Sequence, residues 1–192
     1  MPPAQVPLRA FLDHVVEGFL TFDLKQLSGS GVGYPLLMTS FGAIELFGVL
    51  LSTETYDPQR SSGRLLFVDF WSKHLYPDRA QSEEVGGALY TLVRNGIAHQ
   101  FFPKGEIIGV MGPRPWEHLT VNSSGQVLID AHALAADVLS AYTRTVRPLV
   151  GTAREAEMQE RLNDLNGDPR IAKAEGTLLE ILPPSPAPLV SR

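Results

Sequence analysis

Cysteine is absent from this chain of 192 residues. The absence excludes disulfide bonds, thiolate nucleophiles and cysteine-ligated zinc or iron–sulfur sites. Positive charge is also scarce, since 16 lysines and arginines face 21 aspartates and glutamates and the formal net charge is -5. That balance argues against a protein that holds nucleic acid mainly through a broad basic surface, and it leaves room for a single small contact site.

The sequence also lacks the patterns of a signal peptide and of an uninterrupted membrane-spanning segment. Residues 1–10 contain one arginine and no long apolar stretch, which is unlike a signal peptide. The most apolar stretch, residues 34–51, contains Glu45, and a carboxylate at the middle of a bilayer costs about 3 kcal/mol. We therefore expect a soluble, cytoplasmic protein without a membrane partner, in which this stretch is a core helix.

Apolar residues make up 44% of the chain, which suits one domain with a sizeable core. They recur at helical spacing in four segments, and this periodicity predicts helices over about residues 7–27, 35–52, 63–75 and 82–95. In the first helix the predicted inward stripe includes Val15, Phe19 and Phe22. Residues 28–33, with the sequence SGSGVG, predict the loop that follows it.

The pattern changes after the fourth helix. Residues 106–110 predict a short strand, and residues 118–121 and 127–129 flank the turn signal NSSG, which predicts a hairpin in a small antiparallel sheet. Asp130 is placed to cap a helix over about residues 131–150.

A further helix is predicted where Thr152 and Glu155 form a capping box, and Asn166-Gly167 ends it. Its narrow apolar stripe indicates loose packing or contact with a partner. The predicted fold is thus mainly α, a helical bundle of about four helices with a small antiparallel β-hairpin insertion and additional C-terminal helices. The bundle covers residues 1–150 with its hairpin at about 105–130, the charged C-terminal helix covers 151–167, and an extended or disordered tail covers 168–192.

Residues 94–99, with the sequence RNGIAH, are the candidate chemical site. The guanidinium of Arg94 matches the geometry of phosphate. His99 titrates near neutrality, so it can take a proton from a ribose 2′-hydroxyl or return one to a leaving oxygen. Asn95 can hold the phosphate or orient the imidazole ring. RNA cleavage by internal attack needs this proton transfer and charge stabilisation, and no metal.

Helical geometry favours a composite site. Arg94 and His99 are about 140° apart on an ideal helix, whereas Asn95 and His99 share a ridge. A two-fold partner helix brings two copies of all three side chains into one cleft, so a homodimer builds the site more readily than one chain does. The alternative is structural: Arg94 is a surface charge, Asn95-Gly96 ends the helix, and His99 fills a polar gap.

The pattern of residues 94–99 resembles the HEPN superfamily. It consists of an arginine, a polar residue, three further residues and a histidine, and it lies late in a bundle of four mainly apolar helices. The surrounding residues 89–104, LYTLVRNGIAHQFFPK, are similar to those of uncharacterised bacterial HEPN-like proteins. The resemblance covers about residues 7–148 in element order. It implies a metal-independent endoribonuclease that acts on RNA as a homodimer without a cofactor, in a toxin–antitoxin, antiphage or RNA-processing role, with an antitoxin protein as a partner in the first case.

The resemblance also implies residue roles. Arg94 and His99 are the catalytic pair, Asn95 is the polar residue beside the arginine, and Glu45 supports the site from the second helix. The acidic balance of the chain confines any RNA contact to a small site around Arg94, for which Lys104 and Arg114 are the further candidates. Phe101 stands where related toxins carry a tyrosine, so regulation through that tyrosine is not expected.

Two alternatives are kept open. The acidic balance favours a non-catalytic HEPN-like module that dimerises or binds a ligand or partner protein. A weaker alternative is a sensor that binds a small molecule among the aromatic residues of the second and third helices. For Glu45, the structural alternative is a carboxylate bonded to a nearby serine, tyrosine or arginine.

The remaining histidines and tryptophans carry weaker expectations. His118 and His132 flank the hairpin and could approach His99, but their spacing matches no zinc motif, so no metal site is predicted. His14 and His74 are expected at helix surfaces or ends. The two tryptophans, Trp71 and Trp116, are expected to pack in the core and against the hairpin.

Overall fold

The computed structural model describes residues 6–53, 63–94, 107–110, 117–167, 173–174, 176–178 and 181. Four helices come first in the chain. Helix α1 (residues 8–30) runs through Leu8–Phe11, Leu12–Leu20 and Thr21–Ser30; α2 is Gly33–Leu51; α3 (residues 63–75) joins Gly63–Phe70 and Trp71–Leu75; α4 (residues 82–94) joins Ser82–Leu89 and Tyr90–Arg94.

A small sheet and two helices follow. The strands are β1 (Ile107–Val110), β2 (Thr120–Val121) and β3 (Val127–Asp130). Helix α5 (residues 131–149) joins Ala131–Ala141, Tyr142–Val146 and Arg147–Leu149, and α6 is Arg154–Asn166. The predicted mainly α fold with a β-hairpin is confirmed.

Helix α2 lies at the centre of the bundle and contacts α1, α3, α5 and α6. Its Phe41 stacks on Phe67 of α3 with ring centroids 5.1 Å apart, and its Phe47 stacks on Tyr142 of α5 at 5.3 Å. Burying an aromatic side chain of this size stabilises the fold by roughly 2 kcal/mol. The aromatic rings of α2 and α3 therefore pack against one another in the core.

Helix α2 is also the one helix, within the described part of the chain, that is long and apolar enough to cross a membrane by length and composition. Its most apolar window has a mean hydropathy of 1.6, and 56% of that window is buried against other elements. A helix at the centre of a bundle is apolar on several sides, so the packing of α2 accounts for its apolar composition.

Helices α2 and α3 approach each other closely at Gly48. A Cβ atom at this position would collide with the backbone carbonyl of Leu66. Glycine is therefore required here by the contact between the two helices. Gly42, on the exposed side of the same helix, has no atom within 4 Å of its Cβ position.

The sheet has the order β1-β3-β2. Strands β2 and β3 pair in antiparallel fashion, with Thr120 opposite Leu128, as the turn signal predicts. Strand β1 pairs with β3 in parallel, with Ile107 opposite Val127. The sheet is therefore mixed, whereas a wholly antiparallel sheet was predicted. The tight turn places β2 on one edge of β3, and β1 pairs with the other edge. The composition of β1 does not determine whether it pairs in parallel or antiparallel fashion.

The turn itself is held by Asn122. Its Oδ1 accepts hydrogen bonds from the backbone N–H groups of Ser124 and Gln126, both at 2.9 Å. Gly125 adopts a φ of 79°, which glycine reaches without steric cost. Asp130 caps α5 through Oδ1, which accepts from the backbone of His132 and Ala133, and this predicted cap is confirmed.

The predicted inward stripe of α1 is wrong in part. Phe19 is 67% exposed and Phe22 56% exposed, and Val15 is also exposed. The buried stripe consists of Leu8, Leu12, Val16 and Leu24. Residues 12–20 form a wider π-type turn, which advances each residue by a smaller angle than the 100° of an α-helix, so stripes assigned from the α period rotate away from the core.

The loop after α1 is shorter than predicted. Residues 28–30 are still helical, and the helix ends at Gly31, whose φ of 75° is the left-handed conformation common after a helix. His132 fixes this end, because its Nε2 lies 2.8 Å from the carbonyl oxygen of Ser28.

Helix α6 packs firmly against the bundle, so the expectation of loose packing is wrong. Met158 and Leu162 are fully buried. Gln159 Oε1 accepts from the backbone N–H of Leu8 at 2.6 Å, and Glu155 forms an ion pair with Arg9 at 3.1 Å. Two buried apolar side chains suffice because α6 contacts both α1 and α2.

The predicted capping box does not form. Thr152 Oγ1 accepts from the backbone of Arg154, but the Glu155 carboxylate accepts from the N–H of Gly151 rather than that of Thr152. The ion pair with Arg9 draws this carboxylate away from the cap. Beyond α6, residues 173–174, 176–178 and 181 are helical, so this part of the predicted extended or disordered tail is helical instead. Lysine, alanine and leucine favour helix in that part, ahead of the prolines.

Candidate functional site at the end of α4

The candidate site is built around Arg94, the last described residue of α4. Its Nη2 lies 3.1 Å and its Nε 3.2 Å from the same oxygen, Oε2 of Glu45 on α2. The side chain of Arg94 is 31% exposed and that of Glu45 is 22% exposed. The two predicted residues are therefore brought together at the rim of the bundle, where the guanidinium still meets solvent.

Tyr90 supports the arginine from one turn earlier on the same helix. The Cζ of Arg94 lies 5.8 Å from the centroid of the Tyr90 ring, within the range of a cation–π contact. Tyr90 also packs against Phe67 of the core with centroids 5.3 Å apart. Arg94 is thus oriented by a carboxylate on one side and by a ring anchored in the core on another.

Gly63, the first residue of α3, allows this arrangement. A Cβ at Gly63 would collide with Oε1 of Glu45 and would lie 2.9 Å from the hydroxyl of Tyr90. The start of α3 therefore lies directly against the carboxylate of Glu45. Sequence reasoning singled out Glu45 but not the glycine that makes room for it.

Arg64 is a second cation that sequence reasoning missed. Its guanidinium lies against Gly87 of α4, where a Cβ would collide with it. Gly87 and Arg94 are seven residues apart, which is about two helical turns and places them on one side of α4. The only sequence signal was a glycine in the middle of a helix, which often marks a close approach of another chain segment.

The other predicted site residues are not all placed. Asn95, His99, Lys104 and Arg114 lie outside the described residues, as do Phe101 and Trp116. The structure therefore brings together Arg94 and Glu45 of the predicted set. Trp71 is fully buried in the core, as expected.

His118 takes part in a separate buried network. Its Nδ1 accepts from the backbone N–H of Asp130 at 3.0 Å, so the neutral ring carries its proton on Nε2. That Nε2 lies 2.9 Å from the hydroxyl of Tyr76, which donates to Oδ2 of Asp137 at 2.7 Å. Burial lowers the pKa of His118 and raises that of Tyr76. This network joins the hairpin to α3 and α5.

Two further histidines, His132 and His74, have structural contacts. His132 bonds to the carbonyl of Ser28. His74, in the last turn of α3, packs on Phe70 with centroids 5.4 Å apart, and burial lowers the pKa of its imidazole. Across the described ranges, no group of three histidines, aspartates or glutamates is arranged to hold a metal ion.

Comparison with known proteins adds no relative. No protein-family model matches the chain, and neither a curated protein nor a solved structure matches it.

Proposed function

We propose that this protein is a HEPN-like, metal-independent endoribonuclease in which Arg94 binds the scissile phosphate and His99 transfers protons. The observation that carries the proposal is the ion pair between Arg94 and Glu45. It fixes an arginine at the rim of the bundle five positions before a histidine, in the order that the resemblance implies.

The proposed reaction uses one phosphodiester and no external reagent. His99 takes the proton of the ribose 2′-hydroxyl, and the resulting oxygen attacks phosphorus. The bond to the 5′ oxygen breaks, a protonated imidazole supplies the proton to that oxygen, and the products are a 2′,3′-cyclic phosphate and a 5′-hydroxyl. The Arg94 guanidinium stabilises the negative charge that accumulates on the phosphoryl oxygens.

Glu45 has a positioning role in this scheme. It holds two nitrogens of Arg94, so the planar guanidinium has few orientations left. Arg64 of α3, whose guanidinium lies against Gly87 two turns before Arg94 on α4, adds a positive charge for the neighbouring RNA backbone. In a homodimer, two such sites share one cleft, and an antitoxin protein that covers the cleft would block access to both.

Cleavage of single-stranded RNA in the presence of EDTA tests the proposal. We expect the wild-type protein to yield 2′,3′-cyclic phosphate ends and the His99→Ala variant to lose about 100-fold or more of the rate. His14→Ala is the matched control, because His14 lies on the exposed side of α1. Glu45→Gln should lower kcat more than it raises KM, and Glu45→Asp should restore part of the loss.

Two results would count against the proposal. Cleavage that persists in a folded His99→Ala variant assigns the activity to another group. Cleavage that requires a divalent metal assigns it to another mechanism. Circular dichroism and the Tm of each variant establish that the fold is retained.

A non-catalytic HEPN-like binding module is the second candidate, and one observation favours it. Two nitrogens of Arg94 already bond to Oε2 of Glu45, so a phosphate must compete with a carboxylate in a protein of net charge -5. This candidate predicts that no RNA is cleaved by the wild-type protein at any protein concentration, including those at which it dimerises.

A further inference from the structure

A cavity of about 230 Å³ lies between α4 and the sheet, and Arg79 lines it. Its walls are almost wholly apolar. Val85, Ala88 and Leu92 line it from α4, and Ile107 and Val127 line it from β1 and β3. A concave apolar site with a single charged group is the usual form of a small-molecule site, and this one is smaller than the roughly 300–1,000 Å³ of drug-sized sites.

Arg79 is the charged group of this cavity. Its Nη1 donates to the carbonyl oxygen of Leu119 at 3.0 Å, and its Cζ lies 5.8 Å from the centroid of the Tyr76 ring. Within the described part of the chain, no aspartate or glutamate forms an ion pair with Arg79. A half-buried guanidinium beside apolar walls favours a ligand that has both an anionic group and an apolar part.

The backbone at Leu119 holds this arginine in place. Leu119 has a φ of 57°, a conformation that costs a non-glycine residue roughly 1–2 kcal/mol. Its N–H donates to Leu128 and its carbonyl accepts from Arg79, so the strained residue is fixed on both sides. The strain turns the carbonyl towards Arg79 while the side chain contributes to the wall. Backbone strain of this kind is concentrated at ligand sites.

We propose that this cavity binds a small apolar carboxylate, with the carboxylate on Arg79 and the hydrocarbon against α4 and the sheet. The ligand's charge is set by Arg79, and a volume of about 230 Å³ favours a short hydrocarbon chain. This site is separate from Arg94 and Glu45, so the proposal does not depend on the nuclease activity.

Hexanoate is the probe, with hexanol and hexylamine as the neutral and cationic molecules of the same length. We expect hexanoate to raise the Tm of the full chain and to give saturable binding in ligand-observed NMR. Hexanol should bind about tenfold or more weakly, because a hydrogen bond to a charged group is lost. Hexylamine should not bind measurably.

Three variants locate the site. Ala88→Phe fills the cavity from an exposed position of α4 and should abolish binding without disturbing the core. Arg79→Gln should weaken hexanoate at least tenfold and leave hexanol unchanged. Arg144→Gln, an exposed arginine on α5, is the control and should bind as the wild type does.

The outcomes separate clearly. Loss of hexanoate binding in Ala88→Phe, with a retained Tm, supports the site even if Arg79→Gln is unstable. The proposal is overturned if wild-type protein gives no saturable binding, if Ala88→Phe binds hexanoate as tightly as wild type, or if hexanol binds as tightly as hexanoate.

Discussion

Arg94 and Glu45 are 49 positions apart in the chain, and their side chains meet through two contacts to a single carboxylate oxygen. Neither residue is deeply buried. We therefore expect the pair to be stronger than an exposed surface ion pair and to have a smaller desolvation cost than an ion pair in the core. The pair joins the central helix to the end of α4 at the point where the candidate chemical segment begins.

This relationship predicts a measurable coupling. In a double-mutant cycle with Glu45→Gln and Arg94→Gln, we expect an interaction free energy of about 1 kcal/mol, since both side chains retain some solvent contact. Urea unfolding of the four proteins measures it. A coupling near zero would show that the ion pair orients Arg94 without stabilising the fold. The cycle is needed because a single variant also changes other contacts of the residue that it replaces.

Two histidines whose pKa is lowered by burial, His74 and His118, make the stability depend on pH. His118 lies in the network that joins the hairpin to α5. Its pKa is lowered below the ordinary 6.5 by burial, and Asp137, Asp130, Arg79 and Tyr76 face it. A histidine with a lowered folded pKa contributes stability that is present above pH 6.5 and is lost as the pH falls, because the unfolded chain then binds the proton more readily. The free energy of unfolding should therefore decrease between pH 7.5 and 5.5.

His118→Asn isolates this contribution. An asparagine Oδ1 can accept from the N–H of Asp130 as Nδ1 does, and it does not titrate. We expect this variant to be less stable at pH 7.5 and to change less with pH than the wild type. The variant His14→Asn, at an exposed position, should follow the wild-type curve, and a wild-type stability that rises towards pH 5.5 would contradict the assignment.

Two glycines of α2 provide a matched pair. Gly48→Ala should destabilise the protein by about 3 kcal/mol, because the new Cβ meets the Leu66 backbone and α3 must move. Gly42→Ala adds a Cβ in open space within the same helix and should stabilise it by about 0.5–1 kcal/mol. Thermal and urea unfolding measure both, and equal effects of the two changes would contradict the close packing of α2 on α3.

Gln81 offers a stabilising change. It precedes α4 with a φ of 53°, is exposed, and is one of two non-glycine residues with positive φ in the described ranges. Gln81→Gly should raise the free energy of unfolding by about 0.5–1 kcal/mol, since glycine adopts this conformation without a steric cost. Gln81→Ala keeps the strain and is the control, so a similar gain in both variants would point to another cause.

The sequence predicted the order and type of the described elements well, because helical periodicity and turn signals are local. The helix over residues 63–75 and the cap at Asp130 were both predicted. The rotation of α1 was not, because the wider turn between Leu12 and Leu20 has no signature in hydrophobic spacing. The parallel pairing of β1 was also missed, because it is decided by which edge of β3 is open.

The candidate site was predictable to a similar depth. Arg94 was identified from residue type and spacing and Glu45 from the resemblance to HEPN proteins, and the structure brings the two side chains together. Arg64, Gly63 and the cavity at Arg79 were missed, because each depends on a contact between segments that are distant in the chain. A buried contact of this kind is visible in sequence only as a glycine where a better helix former is expected.

The contact between Leu8 and Gln159 spans 151 positions, and α6 covers the start of α1 through this bond and through the ion pair of Glu155 with Arg9. During synthesis, α1 therefore leaves the ribosome long before its covering helix does. Its apolar residues stay exposed, or are covered by other segments, until Gln159 has also emerged. We expect folding to finish late and to be slowed by this long-range closure, with α1 as the segment that a chaperone would engage first.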